Sequence, residues 1–259
     1  MCGIILQKIT LIGLKTPIIK KGDSISEILY KTLKELKVSV DNGDVIVIAE
    51  TPVAMAEGNI VNLEEIIPSE KAEELASKYQ MNPRVVEVVI READEILGGV
   101  QGVLLTIKYD TLIANAGADQ SNATIDHMVL YPRDPLKSAQ EIKRYLEEKF
   151  HKKIAVIIAD SRVQPLRRGT IGVALAVAGM EPIEDFRGRQ DLFGRKLKIK
   201  FRAVADDLVS AAELLMGEAA EQIPAVLIKG APIQLTENPS FNMAIAKSDC
   251  LFMNCFSKD

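Results

Sequence analysis

Apolar positions recur along this chain in two rhythms. DSISEILYKTLKELKV sets Ile25, Ile28, Leu29, Leu33 and Leu36 three and four residues apart, which is one stripe of a helix. Ser24 followed by Glu27 fits a capping box at its start. Asn82 and Pro83 predict a second helix running to about Leu97, with asparagine as cap and proline at the first position. Asp134 and Pro135 open a third, through about Phe150, and residues 206–217 read as a fourth. Between them stand short apolar runs of strand length at 44–49, 153–159, 172–178, 197–204 and 225–229. Residues 103–109 and 111–114 read as a hairpin turning at Asp110. No internal repeat and no low-complexity linker is present. Strands neighbour strands as often as helices, so the pattern predicts an α+β fold rather than a regular βαβ wind.

Length and composition narrow the classes. The 259 residues suffice for one large domain or two small ones, and 47% apolar content supports a substantial core. A formal net charge of -4 gives no case for a general nucleic-acid binder. No apolar run reaches the roughly 18 residues of a membrane span. The start, MCGIILQKIT, has a strand-like apolar patch without a signal peptide's charged beginning and cleavage site. An odd set of three cysteines (Cys2, Cys250 and Cys255) suits a reducing cytoplasm. Cys250 and Cys255 read as tail thiols, because no second ligand pair stands near them.

Candidate chemistry gathers where apolar elements stop. IAVIIADSRVQPLRRG ends a buried-looking run in Asp160 and Ser161, then adds Arg162, Arg167 and Arg168. NAGADQSN follows the run TLIA and holds Asp119, Ser121 and Asn122. LLMGEAAEQIP ends a helix at Gly217 and Glu218. A hard divalent cation takes oxygen ligands from several chain segments, and Asp119, Asp160 and Glu218 on a rigid scaffold would supply them. The hydroxyl of Ser161 would add a weak one. Guanidinium forks bind phosphate oxygens bidentately, and FRGRQDLFGR offers Arg187, Arg189 and Arg195 beside the three already named. The alternative stays open at this level: acids after strands are common turn residues, and arginines usually sit in solvent. There is no P-loop, no G-x-S-x-G elbow and no H-E-x-x-H. The two histidines, His127 and His151, have no cysteine beside them, which argues against a zinc site or a histidine-assisted nucleophile.

Taken in order, several segments resemble the coenzyme F420-0:L-glutamate ligase family. They are GLKTPIIKKGDSI, AEGNIVNL, IANAGADQSN, IIADSRVQPLRRGTIGVALAVAG, DFRGRQDLFGRKL, AVADDLVSAAELLMGE and IPAVLIKG. The resemblance covers most of the chain and makes residues 1–259 one catalytic unit. It implies a mixed α+β fold of two closely packed lobes that forms an intertwined homodimer. It implies a GTP-dependent reaction with two divalent cations, Mg or Mn, that adds L-glutamate by γ-linkage to a deazaflavin precursor through an acyl phosphate. The family's metal ligands fall on Asp119, Asp160, Ser161 and Glu218. Its nucleotide contacts fall on a Gly13-Leu14 turn, on Asn122, and on Met216, Gly217, Glu218, Ala219, Ala220, Glu221, Gln222 and Ile223. Arg162, Arg167, Arg168, Arg187 and Arg189 are candidates for anionic substrate.

One stretch departs from the family pattern. Where relatives commonly read S-K-A-E-G, this chain has TPVAMAEGN. Ala54 replaces the serine and Met55 the lysine that would touch nucleotide phosphate, while Glu50 takes the place of a small hydroxyl residue beside Thr51. Three readings follow: another cation compensates, the protein ligates another acid, or it binds an anionic flavin-like ligand with metal and without nucleotide turnover.

Overall fold

The computed structural model describes residues 7–120 and 125–256. In chain order the strands and helices are β1 (Thr10–Leu14), α1 (Ile25–Glu35), β2 (Val45–Ala49), α2 (Glu50–Glu57), β3 (Ile60–Asn62), α3 (Glu70–Tyr79) and α4 (Pro83–Glu92). Then come β4 (Glu95–Val100), β5 (Val103–Lys108), β6 (Thr111–Ala114), β7 (His127–Val129), α5 (Pro135–Phe150), β8 (Ala155–Val163) and β9 (Thr170–Ala178). The last are β10 (Ile183–Asp185), β11 (Phe201–Ala203), α6 (Val204–Met216), β12 (Ala225–Lys229) and α7 (Leu251–Phe256). This is a mixed α+β architecture with several sheets, as the sequence pattern implies.

The runs VIVIA, AVIIA and AVLI are apolar on successive residues because both faces of their strands are covered. They form a five-stranded sheet in the order β1-β12-β2-β8-β9. Only β2 and β8 run parallel; the other neighbours are antiparallel. On one face, Ile46, Ile48, Val156, Ile158 and Leu227 pack against Leu29 and Leu33 of α1 and Ile142 and Leu146 of α5. On the other, Val45, Val47, Ile157, Val226 and Ile228 pack against Leu208 and Val209 of α6. Each such fully buried side chain contributes about 1.5–3 kcal/mol, so the sheet is a firm floor for whatever its ends carry.

Between α2 and α5 the chain leaves this sheet. It builds the three-stranded β4-β5-β6, the helix pair α3 and α4, and the two-stranded β3-β7. These have their own apolar clusters, one around Val85, Val88 and Met128 and one around Val86, Val89 and Leu104. Ser69 caps α3, and its backbone N–H and its hydroxyl both donate to the Glu87 carboxylate, at 2.9 and 2.6 Å.

Several expected elements shift. The α4 helix ends at Glu92 rather than near Leu97, because Glu95–Val100 pairs with β5 as a strand. A Cβ on Gly99 would lie 2.5 Å from the Val103 carbonyl oxygen, so that close pairing needs glycine. Only Phe201–Ala203 of 197–204 is strand, and α6 starts at Val204. The expected 153–159 strand runs on to Val163, so Asp160 and Ser161 lie inside β8, opposite Val173 and Gly172 of β9. Gly13 and Leu14 are not a turn. They are the last two residues of β1, paired with Val226 and Ala225. The hairpin does turn at Asp110, with Tyr109 and Asp110 at φ 50° and 56°, the left-handed pair of a tight hairpin.

Candidate functional site: an acid-lined cleft at the end of the central sheet

The last pair of the parallel ladder joins Ala49 to Ala159. There β2 turns directly into α2, while β8 continues alone on that side. Asp160 therefore stands where its strand has lost one neighbour. The same end of the sheet holds the close of β1 and the entry to β12. A cleft of about 560 Å³ opens there. Its walls come from segments far apart in sequence: Thr16–Ile19 after β1, Glu50, Thr51, Pro52 and Met55 at the start of α2, Asp119, Asp160 with Ser161, and Glu213 with the loop that follows α6.

Five carboxyl groups line it: Glu50, Asp119, Asp160, Glu213 and Glu218. Among the described residues that line it there is no lysine, arginine or histidine. Burial and like charge act on the acids together. Glu50 is pushed up to about 8, by burial first and by the Asp160 charge next. Asp160 is pushed up to about 6 by burial, with Asp119 and Glu218 adding to the rise; hydrogen bonds from Tyr131 and the Ser161 N–H oppose it. Glu213 is pushed up to about 7 by burial and by the adjoining Glu218. The Thr51 hydroxyl donates to Glu50 Oε1 at 2.6 Å, and the Thr170 hydroxyl to Glu218 Oε1 at 2.7 Å. Tyr131 donates its hydroxyl to Asp160 Oδ2, and burial holds its phenol well above the ordinary range, so it remains a donor.

The sequence-derived site residues divide. Asp119, Asp160, Ser161 and Glu218 meet in this cleft, as do Glu50, Thr51, Met55, Met216, Gly217, Ala219, Ala220, Gln222 and Ile223. Gly13, Leu14 and Glu221 do not line it: Leu14 is buried in the core, and Glu221 folds back to accept the Ala219 N–H at 2.8 Å. Asn122 lies outside the described residues, as does Cys2. The arginines are elsewhere. Arg187 is held by Asp185 and lies 4.5 Å over the Phe201 ring, and Arg189 pairs with Glu184 at 2.7 Å. Arg167 and Arg168 are exposed in the β8–β9 turn, and Arg162, whose Nε is buried without a hydrogen-bond partner, lies near Asp206. Cys250 and Cys255 are free thiols. Sequence reasoning missed Glu213, in the last turn of α6 and five residues before Glu218, and Tyr131. The α6 stripe predicts Glu213 as a solvent residue, and nothing in the sequence links Tyr131 to Asp160.

All five groups are oxygen donors, the chemistry a hard divalent cation requires. They ring the cleft rather than converge. Among the described residues, no three acidic, histidine or cysteine side chains stand close enough together to enclose a metal. A magnesium-type cation needs no closed protein cage, being held by one or two carboxylates together with waters and substrate oxygens.

Fold and cleft together define a mixed α+β protein with an oxygen-donor binding cleft at the ends of its central strands. The chain matches the F420-0:Gamma-glutamyl ligase family model over residues 13–230. It is 43% identical to the coenzyme F420:L-glutamate ligase of Methanothermobacter thermautotrophicus, over 86% of this chain and 90% of that protein. It is 38% identical to the enzyme of the same name from Methanocaldococcus jannaschii, over 96% and 98%, and 40% identical to that of Methanopyrus kandleri, over 89% and 90%. The chain belongs to the F420-0:gamma-glutamyl ligase family, a family of amide-forming ligases.

Proposed function

We propose that this protein adds L-glutamate by γ-linkage to coenzyme F420-0, using GTP and divalent cations, Mg or Mn. The observation that carries the reading is the cleft itself: five carboxyl groups and no cationic side chain among its described lining residues, in a chain of this family. Phosphate and carboxylate substrates do not enter such a cleft against uncompensated negative charge. Positive charge has to come with them, since Met55 supplies none where the family pattern has a lysine.

Asp119, Asp160 and Glu218, with the Ser161 hydroxyl, are the residues that would hold the cations. Bound there, the cations neutralise phosphate charge and polarise the transferred group. The protein's own part is positional. The sheet end fixes the carboxylates, α2 presents its N-terminal turn to the cleft, and Thr16–Ile19 and the 216–224 loop line it side by side, joined where the Thr16 N–H donates to the Gln222 carbonyl at 3.3 Å. A carboxylate is a poor acyl donor, so activation as an acyl phosphate precedes attack by the glutamate amine. The working unit proposed is a homodimer, on the strength of the family resemblance alone. No helix among the described residues is long and apolar enough to cross a membrane, and the small-molecule substrates suit work in the cytoplasm.

The test is turnover with F420-0, L-glutamate, GTP and Mn(II), reading phosphate release and the γ-glutamyl product by mass spectrometry. Equal amounts of both are expected. Phosphate release with another acid in place of F420-0 would make the protein a ligase of that acid. Tight ligand binding with no phosphate release would make it a binding protein.

A further inference from the structure

We propose that Tyr131 is a positioning residue for the cation site: its hydroxyl holds the Asp160 carboxylate at the angle from which it meets a divalent cation. The inference rests on the reading of Asp160 as a ligand. Both oxygens of that carboxylate are restrained. Tyr131 donates to Oδ2, and the Ser161 backbone N–H donates to Oδ1 at 2.6 Å. A carboxylate has about four lone-pair directions, so each oxygen keeps one for the cleft.

The tyrosine is itself held on every side. It is 3% exposed. Gly117 lies against its ring so closely that a Cβ there would fall 2.1 Å from the ring carbons. Tyr109 stacks over it with ring centroids 6.2 Å apart and planes 12° from parallel. Its carbonyl oxygen accepts the Asn59 side-chain amide at 2.6 Å. Two residues earlier, Val129 exchanges backbone hydrogen bonds with Asp119, at 2.9 and 2.8 Å. One short ladder therefore sets both Asp119 and Tyr131, and the phenol reaches from it to β8. Asp119 stands on a loop bridged to Val129 of β7 and Asp160 on β8, and this contact ties the one segment to the other. Partners of this kind, outside the ligand set, govern metal affinity by orienting the ligand.

The experiment uses the full chain. Mn(II) binding is measured by calorimetry, and the electron paramagnetic resonance line shape of bound Mn(II) is recorded at saturation, beside thermal unfolding of the metal-free protein. Tyr131→Phe keeps the ring and removes one oxygen. It should bind Mn(II) about 10- to 100-fold more weakly, with a changed line shape, while still folded at the assay temperature. Tyr109→Phe should bind as the parent does, because the Tyr109 hydroxyl reaches only the Pro132 and Arg133 carbonyls, at 3.5 and 3.4 Å. Parent affinity and line shape in Tyr131→Phe would overturn the inference. Should that variant not fold, fluorotyrosine at 131 preserves the packing and alters the donor strength; an unchanged line shape then overturns it. Asp160→Ala separates the two levels. If it binds Mn(II) as tightly as the parent, the ligand assignment is what has failed.

Discussion

Binding of a divalent cation should expel protons from the cleft. In the cation-free protein Glu50, Glu213 and Asp160 titrate near 8, 7 and 6. Near neutral pH the three together therefore hold protons that exposed carboxyls would have lost. A cation favours their ionised forms and releases those protons. Repeating the calorimetric Mn(II) titration in buffers of different ionisation enthalpy reads the number directly. It should be larger at pH 6 than at pH 8, and affinity should rise more than about tenfold over that interval. Glu50→Gln should lower the release at pH 7 by about one proton. The same groups set the sign for stability. Their folded values lie above the ordinary carboxyl range, so the folded state holds protons that the unfolded chain has lost. Without metal, stability is greatest below about pH 4.5 on their account and declines as pH rises toward 8. Mn(II) that binds with no buffer-dependent heat at pH 7 and flat affinity from pH 6 to 8 would refute this coupling of burial, like charge and cation.

Met55→Lys restores a cation to the α2 wall and should tighten GTP binding in the presence of Mn(II) about ten- to a hundredfold, the worth of one charge-assisted contact of about 1.5–3 kcal/mol; weaker GTP binding by the same titration would mean that the added lysine pairs with Glu50 or Asp160 instead. Glu87→Gln should destabilise the α3–α4 unit at pH 7, because the Ser69 hydroxyl and backbone N–H hold the Glu87 carboxylate down to about 2. That stabilisation is present above the ordinary glutamate value and is lost as pH falls from about 4.5 through about 2, so denaturant midpoints of parent and variant should converge in acid.

The central sheet is legible in the sequence because both its faces are covered. VIVIA, AVIIA and AVLI are unbroken apolar runs, and helices on each side continue the apolar stripes; only the far end of β8 is hidden, because the strand runs on through Asp160, Ser161 and Arg162. The α3 helix is not legible, because its buried face is only Ala72 and Ala76. Small side chains make a weak stripe. The end of α4 is obscured because two glycines that serve a strand look like a break in a helix. At the site, Asp119, Asp160 and Glu218 announce themselves as acids following apolar runs. Glu213 does not, since an acid within a helix is ordinarily solvated, and its neighbour across the cleft comes from another segment. The arginines mislead for the converse reason. Guanidinium suits phosphate, yet Arg187 and Arg189 are satisfied by Asp185 and Glu184 within or beside their own hairpin.

The parallel contact between β2 and β8 also bears on how the chain folds. Val45 lies beside Ala155, 110 positions further along. Closing so long a loop carries an entropic penalty that must be met before the pairing returns anything. Glu50 and Asp160 stand just beyond the ends of that pairing, and Glu218 arrives only once α6 has docked. The carboxylates are therefore brought together only by contacts far apart in sequence, and their mutual repulsion is absent from the unfolded chain. A ligand that relieves it and binds only the assembled sheet end stabilises the folded chain over the unfolded one by mass action.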